Sequence, residues 1–161
     1  MPSNEQIGIY LNDHLGGSVA GRDLAESIRK QHEGTALGEA MAPIVREIEE
    51  DQEKLSTFMR QLGVGESKVK VVAGSTLQKL SSLVFELGVE GDSPLNRFLE
   101  VEALLMGVNG KRELWLALQE AAAHRPDWPE LDLRALIERA DKQLQELERH
   151  RLQLAVAAFA G

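Results

Sequence analysis

The chain has 161 residues, no cysteine, and a formal net charge of −8 from 18 Lys and Arg against 26 Asp and Glu. That excludes disulfides, thiolate metal sites and a cysteine nucleophile, and with no basic cluster to follow a phosphate backbone it sets nucleic acid aside as a partner. Hydrophobic residues at 43% and aromatics at only 4%, with Leu, Ala, Glu and Arg plentiful, predict one folded all-α domain over residues 1–161.

The first apolar series, Ile7, Tyr10, Leu11, Leu15, Leu24, Ala25 and Ile28, steps by three and four and predicts a helix from about Glu5 to Glu33. Its middle holds Gly16, Gly17, Ser18, Ala20 and Gly21, and each interior glycine costs a helix about 1 kcal/mol relative to alanine. A closely packed neighbouring helix is the expected compensation, from within the monomer or from a partner. Gly34 and Thr35 supply a stop and a new N-cap. Ile44, Ile48, Leu55, Phe58 and Leu62 then mark a second helix ending at Gly63, with a start or bend at Pro43.

Val69, Val72, Thr76, Leu80, Leu83, Val84 and Leu87 predict a shorter helix in the crossover, followed by a loop over Gly88–Asp92. Ser93-Pro94 is a strong helix start, a capping hydroxyl followed by a residue with φ already set. The helix it opens carries Phe98, Val101, Leu105, Val108, Trp115 and Leu118 to about His124, with Gly107, Asn109 and Gly110 as an interruption. After the rigid loop Arg125–Glu130, a last long helix carries Leu133, Leu136, Ile137, Ala140, Leu144, Leu147, Leu154 and Ala158. No apolar run approaches the roughly 20 residues of a membrane span, and the N-terminus lacks the basic-then-apolar order of a signal peptide. A cytoplasmic protein without a membrane partner is expected.

Several catalytic signatures are absent: there is no Gly-x-Ser-x-Gly elbow and no His-Glu-x-x-His, and Gly110-Lys111 continues into Arg112 without the upstream glycine of a phosphate loop. Polar residues on the apolar seams are more informative, because burying one without a partner costs about 1 to 3 kcal/mol. His14, Asp51 and His150 lie on seams, and Glu102 falls between Phe98 and Leu105. If the first two helices turn near Gly34, His14 is 20 residues before the turn and Asp51 is 17 after it, a difference in level of only ~5 Å. Glu102 and His150 match similarly about Asp127, so one polar layer is expected.

That layer has two readings. One is a metal site in the bundle interior, with Glu47, Glu50 or Asp51, Glu102, Glu146, His14 and His150 as oxygen and nitrogen ligands. The other is a buried network, for instance Asp51 with His14 or Arg151, that fixes helix register without chemistry. Trp115 and Trp128 read as packing anchors or pocket walls, and His32 and His124 as surface or capping residues near helix ends.

Two long helices, a crossover with a short helix, and two more long helices resemble the ferritin-like superfamily. Tyr10-Leu-Asn-Asp13-His-Leu15 is similar to the first helix of its stress-induced, YciF-type branch. Glu47-Ile-Glu-Glu-Asp51 with Gln61-Leu-Gly63 is similar to the second. The resemblance implies a four-helix bundle and, in its conventional form, a di-iron or manganese carboxylate site. Here the first-helix Glu falls near Ser18, the Glu-x-x-His pair becomes Glu47 with Glu50 or Asp51, and Glu146 and His150 stand four apart.

The leading expectation is therefore a non-catalytic, ferritin-like structural or interaction protein, a homodimer through its helix faces, whose metal site has become a polar network. One alternative is a metal-binding oxidase or iron-handling protein, with iron or manganese held by Glu47, Asp51, Glu102 and His150 and supported by His14. The other is a small-ligand carrier binding beside the glycine-rich face of the first helix.

Overall fold

The computed structural model of the chain describes residues 4–66 and 92–160. Four long helices and no strand are found among them: α1 (Glu5–Gln31), α2 (Ala36–Gln61), α3 (Pro94–Ala122) and α4 (Leu133–Phe159). The expected crossover helix over 69–87 lies outside the described residues.

Local chemistry sets the ends of these helices. Gly34 at φ +78° reverses the chain after α1, and the Thr35 hydroxyl then accepts the Gly38 N–H at 3.2 Å to cap α2. α2 closes on Gly63 at φ +71°. There the Val64 N–H reaches the Met59 carbonyl at 2.9 Å and the Gly63 N–H reaches that of Arg60 at 3.1 Å, a Schellman closure that only a left-handed residue permits without strain. Ser93 caps α3 through the Asn96 N–H at 3.1 Å, and Asp132 caps α4 through that of Ala135 at 3.1 Å.

Two stretches that hold helix-breaking residues remain helical. α2 begins at Ala36 on the expected Thr35 cap and continues through Pro43, its eighth residue, at the cost of the one N–H that would have bonded the Glu39 carbonyl. α3 runs unbroken through Gly107–Gly110, since the apolar positions on either side, Leu104 before it and Leu114 and Trp115 after it, are buried in the bundle interior.

The helices form two hairpins, α1 with α2 and α3 with α4, and α1 also packs on α3 and α2 on α4. One apolar cluster joins Ala25 and Ile28 of α1, Met41 to Ile48 of α2, Val101 to Val108 of α3 and Leu147 of α4. The other joins Leu11, Leu55 to Met59, Leu114 to Leu118, and Leu136. The late half of α1 thus shares a level with the early halves of α2 and α3, so α2 and α3 run parallel. Their connection begins where Asn4 donates to the Leu62 carbonyl and ends at Asp92 and Arg97, whose charges act on His32. It joins opposite ends of the bundle, ~40 Å apart for a 26-residue helix.

Candidate functional site: a polar layer and the cavity beside it

Between the two apolar clusters the seams turn polar. Asp51 projects from α2 with its side chain only 3% exposed, and both its oxygens are taken by cations. Oδ2 accepts from Lys111 Nζ of α3 at 2.7 Å, and Oδ1 from Arg139 Nη1 of α4 at 3.0 Å. Lys111 also donates to Gln143 Oε1 at 2.6 Å, and Gln143 Nε2 donates to Glu47 Oε2 at 2.7 Å. An amide is the side chain suited to that middle position, because it accepts from an ammonium on one side and donates to a carboxylate on the other. Arg139 completes the layer with Glu50 at 3.0 Å.

Lys111 is the centre of this layer. Burial pushes its pKa below the usual lysine value, and the Asp51 carboxylate opposes that shift. Two charges removed from water in this way are tolerable only with such complete pairing.

Of the residues expected to form a site, Glu47 and Asp51 belong to this layer. His14 stands at its α1 side, edge-on to Tyr10 at 4.6 Å. Glu102 and His150 lie elsewhere. Glu102 accepts from Arg151 at 2.8 Å, while His150, itself buried, bonds Glu146 at 3.1 Å and meets Arg149 at 3.1 Å. Glu102 is nine residues from Lys111 and His150 seven from Gln143 along their helices, ~13 and ~10 Å away. The single expected layer is therefore two levels. Asp51 pairs with Lys111 and Arg139, not with His14 or Arg151 as expected.

Among the described residues no group of three or more His, Cys, Asp or Glu side chains is placed to hold a metal ion. A di-metal centre needs carboxylates and imidazoles converging on open space. Among the described residues the most buried carboxylate is bonded to an ammonium and a guanidinium, so the described residues do not fit one.

Against the layer, between α1, α2 and α3, lies a cavity of about 50 Å³. Its walls include His14, Gly17 and Ser18 from α1, Asp51, Gln52 and Leu55 from α2, and Gly107, Gly110, Lys111 and Trp115 from α3. Two of its wall residues carry a buried donor without a hydrogen-bond partner among the described residues, Gln52 Nε2 and Trp115 Nε1. The tight helix approach expected at the small residues of α1 is not found at Gly16 or Gly21, where an added Cβ would meet nothing within 4 Å. Trp128 packs edge-on to Phe58 at 5.8 Å and lines a broad surface hollow at the α3–α4 loop.

Burial pushes the His14 pKa below its ordinary value of 6.5, against a smaller opposing pull from Asp13. His32 is lowered too, by burial first and then by Arg97, with Asp92 opposing. Both folded values lie below the unfolded one, so the unfolded chain binds more protons near pH 6. Stability is full above pH 6.5 and falls as pH drops through the folded values. Glu100, raised by burial, runs in the opposite sense. Urea denaturation between pH 7.5 and 5 should show this decline, and His14→Gln with His32→Gln should flatten it. An unchanged slope in the double variant would refute the assignment.

Comparison of the chain with protein families, curated proteins and solved structures gives no match.

Proposed function

We propose that this chain is a ferritin-like bundle that works without a metal, as a structural or interaction protein, its central layer closed by the Lys111 ammonium. The observation that carries this reading is Lys111 Nζ bonded to Asp51 at 2.7 Å and to Gln143 at 2.6 Å. A cation built into the chain gives the inward carboxylate the positive partner that a metal supplies in a metallated bundle.

The connectivity supports the ferritin-like part: two hairpins joined by one connection between opposite ends, with α2 parallel to α3. An up-and-down bundle has no such crossover. Pairing of two copies belongs to the same proposal. Leu152, Val156 and Phe159, on one face of α4, remain 52%, 65% and 66% exposed, and a self-complementary apolar stripe suits an isologous contact.

Native mass spectrometry of protein expressed with iron and manganese supplied tests both parts at once. The expected species is a metal-free dimer of 17.8 kDa chains. Stoichiometric metal that disappears in Asp51→Ala would replace this reading with the metal-binding one, and a monomeric mass at micromolar concentration would remove the pairing.

A further inference from the structure

We infer that the Lys111 amine is a covalent site for a short aldehyde, which adds reversibly to Nζ from the cavity between α1, α2 and α3. This goes beyond the metal-free reading and uses the same Lys111 bonds, but its test follows lysine adducts, so either can fail without the other.

Direction comes first. An ammonium has three N–H donors. Lys111 gives one to Asp51 Oδ2 at 2.7 Å and one to Gln143 Oε1 at 2.6 Å, and among the described residues the third has no acceptor. The nitrogen is tetrahedral: Cε arrives from α3, and the two bonds lead to α2 and α4. Among the described residues α4 packs on α2 and α3 and not on α1, so it stands diagonally opposite α1. The remaining vertex, directed away from α2 and α4, therefore faces the corner of α1. That corner holds the cavity, with Lys111 in its wall beside His14, Gly17 and Ser18, and 10% of the Lys111 side chain stays open.

Addition replaces that third N–H and leaves the other two. The Nζ lone pair forms a bond to the aldehyde carbon, the C=O π pair moves to oxygen, and the proton that left the ammonium ends on that oxygen. The product is a secondary ammonium bearing a hydroxyalkyl group, with two N–H for Asp51 and Gln143 and its new carbon in the cavity. His14, in the same wall, is the group to carry the proton, because burial disfavours its charged form and leaves it a free base. Burial also disfavours the charged form of Lys111, with Arg139 acting in the same sense and Asp51 and Glu47 opposing, which favours release of the amine for attack.

Charge and size select the electrophile. An acyl group or carbon dioxide would turn the ammonium into a neutral amide or an anionic carbamate, and the Asp51 carboxylate would lose the cation that it holds at 2.7 Å. An aldehyde adduct stays positive. The cavity, about 50 Å³, exceeds the ~10–15 Å³ that one water needs and is below the ~150 Å³ of an engineered cavity that takes benzene. It suits a chain of roughly two or three carbons and excludes an aromatic ring.

Acetaldehyde is the probe, with cyanoborohydride to reduce the dehydrated adduct to a stable ethyl group. Initial rates of ethylation of the native protein at neutral pH would be read lysine by lysine by peptide mass spectrometry, with exposed Lys30, Lys54 and Lys142 as internal references. Lys111 should ethylate at least as fast as these. Its rate should saturate with acetaldehyde, half-maximal on the order of millimolar, the range open to so small a ligand, while the references rise linearly. A Lys111 sealed in its ion pair would react only through unfolding, roughly a thousandfold or more slower than the references. Gly17→Leu, which fills the cavity, should slow Lys111 at least about tenfold and leave the references unchanged. Gly107→Leu, from the facing helix, provides a second variant should Gly17→Leu fail to fold. Benzaldehyde should label the references and spare Lys111. Ethylation of Lys111 slower than that of the references, a rate that does not saturate, or labelling by benzaldehyde would overturn the inference.

Discussion

Replacing Lys111 with Met should lower the unfolding free energy by about 3 kcal/mol, the lower end of what breaking one side of a buried ion pair costs. The loss comes less from the missing bond than from what remains: Asp51, its side chain 3% exposed, and the amide of Gln143, 2% exposed, each without its ammonium partner. Arg139 still holds Asp51 Oδ1 at 3.0 Å, which keeps the loss from being larger. Adding Asp51→Leu to Lys111→Met should recover part of the stability, because it removes the buried unpaired carboxylate while Gln143 Oε1 stays without its ammonium and Arg139 keeps Glu50 but loses Asp51. Equilibrium urea denaturation of the four proteins gives the cycle. A loss under about 1 kcal/mol in the single variant would mean that Lys111 is solvated and the layer is not closed.

Gly38→Ala should be comparably damaging for a steric reason. A Cβ there would lie 2.1 Å from the His32 carbonyl oxygen and 2.7 Å from its carbon. Both are backbone atoms of the α1–α2 turn and cannot swing aside. That same oxygen accepts from the Thr35 N–H at 3.0 Å and the Thr35 hydroxyl at 2.7 Å, so relieving the clash opens the turn and the cap together. The cost should reach about 3 kcal/mol, a fall in Tm of roughly 6–12 °C for a chain of this size. Gly16→Ala and Gly21→Ala should do the reverse, each gaining up to about 1 kcal/mol from helix propensity, since their Cβ atoms meet nothing within 4 Å. Differential scanning calorimetry on the three variants would separate a glycine required by close approach from two that are not; a Gly38→Ala melting point within a degree or two of wild type would refute the clash.

The helices were legible because each carries its own signals: three-and-four spacing, Thr35 and Ser93-Pro94 at the starts, and Gly34 and Gly63 at the stops. Asp51 was also legible, as a charge three residues from Ile48 and four from Leu55. Lys111 was not, although Val108 and Trp115 place it on the same stripe, because Gly107 and Gly110 argued for a break that packing on both sides overrides. Gln143 stands three residues after Ala140 and four before Leu147, a seam position that draws no notice because an amide is not a metal ligand. Which helix a buried charge faces depends on interhelical rotation, and single-helix periodicity carries no information on that. His14 and Asp51, matched in depth, border the same cavity, yet the bonds to Asp51 come from α3 and α4.

The long connection between α2 and α3 also bears on the order of folding. Each hairpin closes through contacts near in sequence, across four residues between α1 and α2 and ten between α3 and α4, and local closure of this kind is fast. Everything that joins one hairpin to the other is remote in sequence and waits on the entropy of closing the larger loop. Asp51 belongs to the first hairpin, and Lys111, Arg139 and Gln143 to the second. These groups remain hydrated until the hairpins meet, and the water they hold has to leave at that encounter. Docking one hairpin on the other therefore carries with it the dehydration of four polar side chains.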